Sequence, residues 1–179
     1  GTLVLRGANT FSGGTIVSNG TFQVFTTFNS SGAFTAMDGT IFSVKASDAA
    51  TPLATSALTL GSGGGGVTCE LDLSASGSRS VPLVQATNLT TSGTVTLNLK
   101  GSGYSIGSQV PLISFVGGIN GAGFAAFELG TLPDNVGGTL VSNATSVAFF
   151  VTNAPVIQWT GSIDGNWDLT TTNWFDPNA

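Results

Sequence analysis

The sequence predicts an all-β chain built as a solenoid, a stack of coils in which each coil buries its apolar edge only against its neighbours. Three observations carry that expectation. A Gly-Thr step followed by apolar residues begins at Gly1, Gly20 and Gly39, a constant spacing of 19 residues, and one further step reaches Leu58-Thr59-Leu60. The same step recurs inside the first period at Gly14-Thr15-Ile16. Glycine allows the turn and the β-branched and apolar residues that follow favour an extended strand, so the unit reads as turn, strand, turn, strand. Elsewhere apolar and polar residues alternate in short runs punctuated by Gly, Ser, Asn and Pro, and almost nothing carries a helical period.

Composition agrees with a folded, strand-rich domain. The chain has 179 residues, 41% of them hydrophobic and only 7% charged, with 26 glycines and a mean hydropathy of +0.35. A disordered chain would be poor in aliphatic residues and rich in charge. The net charge is −5, and Arg6, Lys45, Arg79 and Lys100 are all the basic residues present. No basic patch is available to neutralise phosphates, which excludes nucleic acid and anionic membrane as expected partners. No apolar run approaches the ~20 residues that span a bilayer, so membrane insertion is not expected either. The chain opens on Gly1 and not on methionine, which predicts a processed product or a segment of something longer, with neighbours on its termini.

The first stretch, GTLVLRGANTFSGGTIVSNGTFQV, closely resembles the autotransporter-associated β-strand repeat, whose usual pattern is G-T-L-x-L-x-G-x-N-T-[YF]-x-G-G-T-x-[IV]-x-x-G-T-L-x-[VL]. Repeats of that family occur in long bacterial surface and secreted proteins. The resemblance implies a right-handed parallel β-helix and an extracellular or cell-surface location. A second resemblance lies at the other end. Trp159-Thr160-Gly161, then Gly165-Asn166-Trp167-Asp168 and Asn173-Trp174, is similar to the segment that opens modules in the same kind of protein.

Taken in order, residues 1–60 carry the 19-residue rhythm, with Leu3/Leu5, Phe22/Val24 and Ile41 expected at equivalent places as stacked ladders. Phe11, Phe25, Phe28, Phe34 and Phe42 enrich the same half as core or rim residues. Residues 45–57, interrupted by Pro52, read as a loop with a short turn, and residues 61–66 (GSGGGG) as a flexible connection. From 61 to 154 the strands lengthen. Val67, Cys69, Leu71 and Leu73 alternate with Thr68, Glu70 and Asp72, and Val95, Leu97 and Leu99 repeat the pattern. This half is expected either to widen the solenoid or to close it as a sandwich-like cap, because an open end exposes unpaired backbone groups. Asn153-Ala154-Pro155 marks a boundary, and residues 155–179, with Trp159, Trp167 and Trp174, read as a connector to the next module or subunit.

Groups for chemistry are scarce. There is no histidine, which removes Ser-His and Cys-His catalysis and the usual zinc ligands. Cys69 is the lone cysteine and reads as a small buried hydrophobe. The glycine run is followed by Val67 and not by the Lys and Ser/Thr of a phosphate loop. Glu70 and Asp72 share a strand face at ~7 Å, a separation open to paired carboxylates in glycoside hydrolysis and, more simply, to a solvated face. No enzyme and no cofactor are therefore expected. Asp164, Asn166 and Asp168 have the spacing of the first ligands of a calcium loop, with Asp176 as the nearest further acid, although turn residues of this type commonly bond their own backbone.

The functional expectation is a structural module that stacks head to tail, on copies of itself or on adjacent modules, into a surface filament or stalk. Its assembly interface is expected at Gly1, Thr2, Leu3 and Leu5 on one side and at Val156, Ile157, Trp159, Trp167, Trp174 and Phe175 on the other. The alternative is an adhesin or carbohydrate-binding module presenting the tryptophans to a surface glycan.

Overall fold

A computed structural model describes residues 1–28, 32–155, 158–160, 162–165, 171 and 173–175. In chain order the strands are β1 (Thr2–Leu5), β2 (Thr15–Val17), β3 (Thr21–Phe25), β4 (Phe34–Ala36), β5 (Ile41–Lys45), β6 (Leu53–Leu60), β7 (Val67–Asp72) and β8 (Val84–Thr91). They continue as β9 (Val95–Lys100), β10 (Gln109–Ser114), β11 (Ile119–Gly121), β12 (Phe127–Leu129), β13 (Gly137–Ser142), β14 (Ser146–Asn153), β15 (Gln158–Trp159) and β16 (Trp174–Phe175). Among the described residues the helical content is one 3-10 turn at Gly123–Ala126.

Successive strands fall alternately into two sheets. One runs β1-β3-β5-β7-β9-β12 and is parallel throughout. The other runs β2-β4-β6-β8-β10-β14-β13, with β11 also on β8, and is parallel from β2 to β10. The molecule is thus an all-β parallel solenoid in which each coil lays one strand in each sheet. A repeat unit containing two Gly-Thr steps requires this arrangement, since each step starts one strand.

The spacing changes along the stack. Thr2 pairs with Thr21 and Thr15 with Phe34, both at 19 residues. Thr21 then pairs with Ile41, at 20, and Ile41 with Thr68, at 27. The extra residue of the second period corrects the expected ladder. Phe42, and not Ile41, lies against Phe22, because a one-residue shift turns every side chain of a strand to the other face. Thr40 takes up the difference in the turn, where its hydroxyl donates to the Met37 carbonyl at 2.6 Å. The fourth step also departs from expectation. Leu58-Thr59-Leu60 belongs to β6 in the second sheet, paired with Phe34, Thr35 and Ala36.

Between the sheets, side chains stack in columns. Leu3, Phe22, Phe42, Cys69, Leu97 and Leu129 form one, and Leu5, Val24, Val44, Leu71 and Leu99 the next. Phe34 enters from the opposite sheet, its ring 6.0 Å from Phe22 and 5.5 Å from Phe42. Cys69 is fully enclosed, and burial pushes its thiol up to about 12, which leaves it an unreactive core residue. Tyr104, isolated in sequence, packs edge-on against Phe149 at 6.0 Å.

Two connections read from sequence as loops are more ordered than that. Leu53–Leu60 is a strand, so only the first part of residues 45–57 is a loop. It is clamped by Arg79, whose buried guanidinium donates to the carbonyls of Asp48, Thr51, Val81 and Pro82. The glycine run wraps the carboxylate of Asp38. Backbone N–H groups of Ser62 and Gly63 donate to it at 2.8 Å and Gly65 at 3.0 Å. Gly61, at φ +88°, lies so close to the Ser92 carbonyl that a Cβ there would collide with it.

At the C-terminal end the second sheet changes direction. β14 pairs antiparallel with β10 and β13 antiparallel with β14. The register slips between Pro111 and Ile113, since proline offers no N–H to the ladder. The buried Val147, Phe149 and Val151 of β14 close the core on this side. This half therefore ends in an antiparallel pair of strands added to the second sheet after its parallel order stops at β10.

Candidate assembly site

β1 and β2 occupy the first positions of their sheets, and each has a hydrogen-bonded neighbour, β3 and β4, on one side only. Among the described residues no strand pairs with the opposite edges. Leu3 belongs to an inward column whose next member, Phe22, is 4% exposed, yet Leu3 itself is 56% exposed because no coil lies beyond it in the described residues. Ile16 is 71% exposed and Phe11, stacked edge-on against Phe28 at 5.1 Å, is 43% exposed. Together with Gly1, Thr2, Thr15 and Val17, Leu3 and Ile16 line an open groove of ≈ 450 Å³ across this end of the stack. Arg6, just after β1, holds its guanidinium 5.3 Å over the ring of Phe25.

Four of the residues expected at an assembly interface therefore sit together. Gly1, Thr2 and Leu3 are exposed and Leu5 is half-buried against the end of the core. The sequence did not single out Ile16 and Val17 for this role. The signal was present in the second Gly-Thr step of the repeat, which implies a second strand and hence a second edge.

The complementary set is placed only in part. Val156, Ile157 and Trp167 lie outside the described residues. Trp159 is in β15 and Trp174 and Phe175 are in β16, and these two short strands pair antiparallel with each other, Gln158 with Phe175 and Trp159 with Trp174. The hairpin is tied by Asn173, whose side-chain oxygen accepts from the Ile163 N–H at 2.9 Å and whose amide donates to Asp164 at 2.7 Å. Asp164 thus has a protein donor as partner. Asn166 and Asp168, the other two calcium candidates, lie outside the described residues, and among the described residues no three His, Cys, Asp or Glu side chains gather into a metal cluster.

Asp38, Glu70 and Asp72 are engaged in structural contacts. Asp72 receives the Lys45 ammonium at 2.8 Å and Glu70 that of Lys100 at 3.2 Å, both between neighbouring strands of the outer face. Burial acts to raise the Asp72 carboxyl, but hydrogen bonds from Lys45 and Ser74 outweigh it and hold the group below the ordinary range. Asp38 is lowered by the backbone N–H of Ser62 above all, then of Gly65 and Gly63. The glycine loop has the form of an anion-binding nest, and its anion is a side chain of the chain itself.

Residues 1–24 match the family model of the passenger-associated-transport-repeat. Comparison with curated proteins finds no match, and comparison with solved structures finds none. The matched stretch spans β1, β2 and most of β3, so the family repeat is the coil that forms the open end.

Proposed function

We propose that this chain is a non-catalytic structural module of a secreted or surface passenger protein, a segment of β-solenoid whose N-terminal end accepts a further coil from an adjacent module or from another copy. Head-to-tail addition of such modules lengthens a filament or stalk. The observation that supports this reading is the pair of free edges at β1 and β2, with Leu3 at the end of an inward column and exposed. An added parallel strand would take up the free backbone groups of each edge, and its apolar residues would cover Leu3 and Leu5 in the register that already joins β1 to β3. The passenger-type repeat of residues 1–24 supports the extracellular setting.

The test is to fuse a second copy of residues 1–19 ahead of Gly1. The coil-extended chain is expected to melt at higher temperature than the parent, since the coil stacks on a surface already shaped for it. An unchanged or lower melting temperature, with the added residues cleaved readily by protease, would refute the acceptor role of this end.

A further inference from the structure

A second cleft, of ≈ 200 Å³, lies away from the N-terminal end, where connections of successive coils meet between the two sheets. Three segments line it: residues 101–104, which lead from β9 toward β10; Pro133, Asp134 and Val136, between β12 and β13; and Pro155, just after β14. Its walls are held by local bonds. The Tyr104 hydroxyl donates to the Lys100 carbonyl at 3.3 Å, and Gly103, at φ +90°, lies so close to the backbone of Gly77 that a Cβ there would collide with it. On the other side the Val136 N–H donates to the Pro133 carbonyl at 3.1 Å, and the Asn153 side chain donates to the Asn135 carbonyl at 3.0 Å. The cleft is thus formed before any ligand arrives, and little ordering opposes binding.

We propose that this cleft binds a primary alkylammonium group, either a free amine or the end of a lysine side chain. Its volume is below the roughly 300–1,000 Å³ that encloses a drug-sized molecule, which fits it to one side-chain-sized group. The rings of Pro133, Pro155 and Tyr104, with Val136, give apolar walls for a methylene stem. Asp134 supplies the charge. Among the described residues it is the one acid without a hydrogen-bond or ion-pair partner: Asp38 and Asp48 accept backbone N–H groups, Glu70 and Asp72 receive lysines, Glu128 the Thr96 hydroxyl and Asp164 the Asn173 amide. No basic residue lines the cleft, and Lys100, next to Gly101, is turned to Glu70 at 3.2 Å. An ammonium seated there donates to the Asp134 carboxylate, with the Ser102 hydroxyl as a further acceptor. The net charge of −5 draws cations to the protein as a whole. The site uses no residue of the N-terminal end and stands apart from the acceptor reading.

The experiment is a titration of the isotope-labelled protein with butylammonium chloride, followed through its backbone amide resonances. Saturable shifts are expected at Ser102, Gly103, Tyr104 and Val136. Butanol has the stem without the charge and ammonium chloride the charge without the stem, and each should bind weaker by about tenfold or more. Asp134→Asn, on an exposed turn, should weaken butylammonium by about the same factor and leave resonances away from the turn in place. Nα-acetyl-lysine methylamide tells the two sources apart: it binds at least as tightly as butylammonium if the site takes a lysine side chain, and more weakly if it takes a free amine. No saturable shift at the cleft, undiminished affinity in Asp134→Asn, or equal binding of butanol or of ammonium chloride overturns the inference.

Discussion

The sharpest mutational test of the fold concerns two adjacent residues, of which the 19-residue repeat assigns Ile41 to the inward ladder and the structure places Phe42 there. Ile41 occupies the place expected for the inward ladder, but the one-residue lengthening of the second coil turns it outward and puts Phe42 inside. Phe42 is 1% exposed and its ring lies 6.4 Å from Phe22 and 5.5 Å from Phe34. Removing a buried phenylalanine costs about 3–5 kcal/mol, of which each lost aromatic pair accounts for roughly 0.5–1.5 kcal/mol. Ile41 is half-buried on the outer face between Thr21 and Thr68, and truncating it costs about 1 kcal/mol. Ile41→Ala and Phe42→Ala should therefore separate by about 2–4 kcal/mol in urea denaturation followed by far-ultraviolet circular dichroism. Equal midpoints, or a lower midpoint for Ile41→Ala, would refute the register and with it the column that runs from Leu3 to Leu129.

Other predictions follow from the same geometry. Leu97→Asp places a carboxylate in a fully buried column and should leave the chain unfolded at 25 °C by circular dichroism, whereas Leu3→Asp, at an exposed edge, should preserve the melting temperature of the parent and abolish the gain from an added coil. Arg79→Lys keeps the charge but replaces the spread guanidinium fork with a single ammonium that cannot serve the carbonyls of Asp48, Thr51, Val81 and Pro82 together, and should cost about 2–3 kcal/mol by urea denaturation. The Asp38 carboxyl is lowered in the folded state, so its stabilisation is present above the ordinary carboxylate value and is lost as pH falls through the lowered one. Melting temperature measured from pH 6 downward should accordingly fall less steeply for Asp38→Asn than for the parent. An equal acid slope would show that the glycine loop does not hold the charge.

The parts of this fold legible in sequence are those governed by local pattern. Alternation alone placed Val67, Cys69 and Leu71 inside and Thr68, Glu70 and Asp72 outside, as the structure has them, and the 19-residue spacing matches the pairing of β1 with β3 and of β2 with β4 but not the longer coils that follow. What was not legible depends on contacts between distant segments. The glycine run gave no sign that it would close around Asp38, because the pairing of a carboxylate with N–H groups 24 to 27 residues away leaves no local trace. The clamp of Arg79 on residues 48 and 51 is of the same kind. The antiparallel cap was equally hidden, since the direction in which β13 and β14 pair is set by contacts with β10 and with each other and leaves no trace in their local pattern. At the open end, sequence found β1 through its repeat, while the edge role of β2 emerged only when both sheets were seen to start there.

The central proposal is that the N-terminal end of this two-sheet solenoid accepts a further coil. Residue-resolved amide hydrogen exchange on the parent and on the chain extended by one coil tests it most directly. The account predicts slow exchange at β5, β7 and β9 in both chains, fast exchange at β1 and β2 in the parent, and slow exchange at β1 and β2 once the coil is added. Slow exchange at β1 and β2 in the parent, or fast exchange that the added coil leaves unchanged, would contradict it.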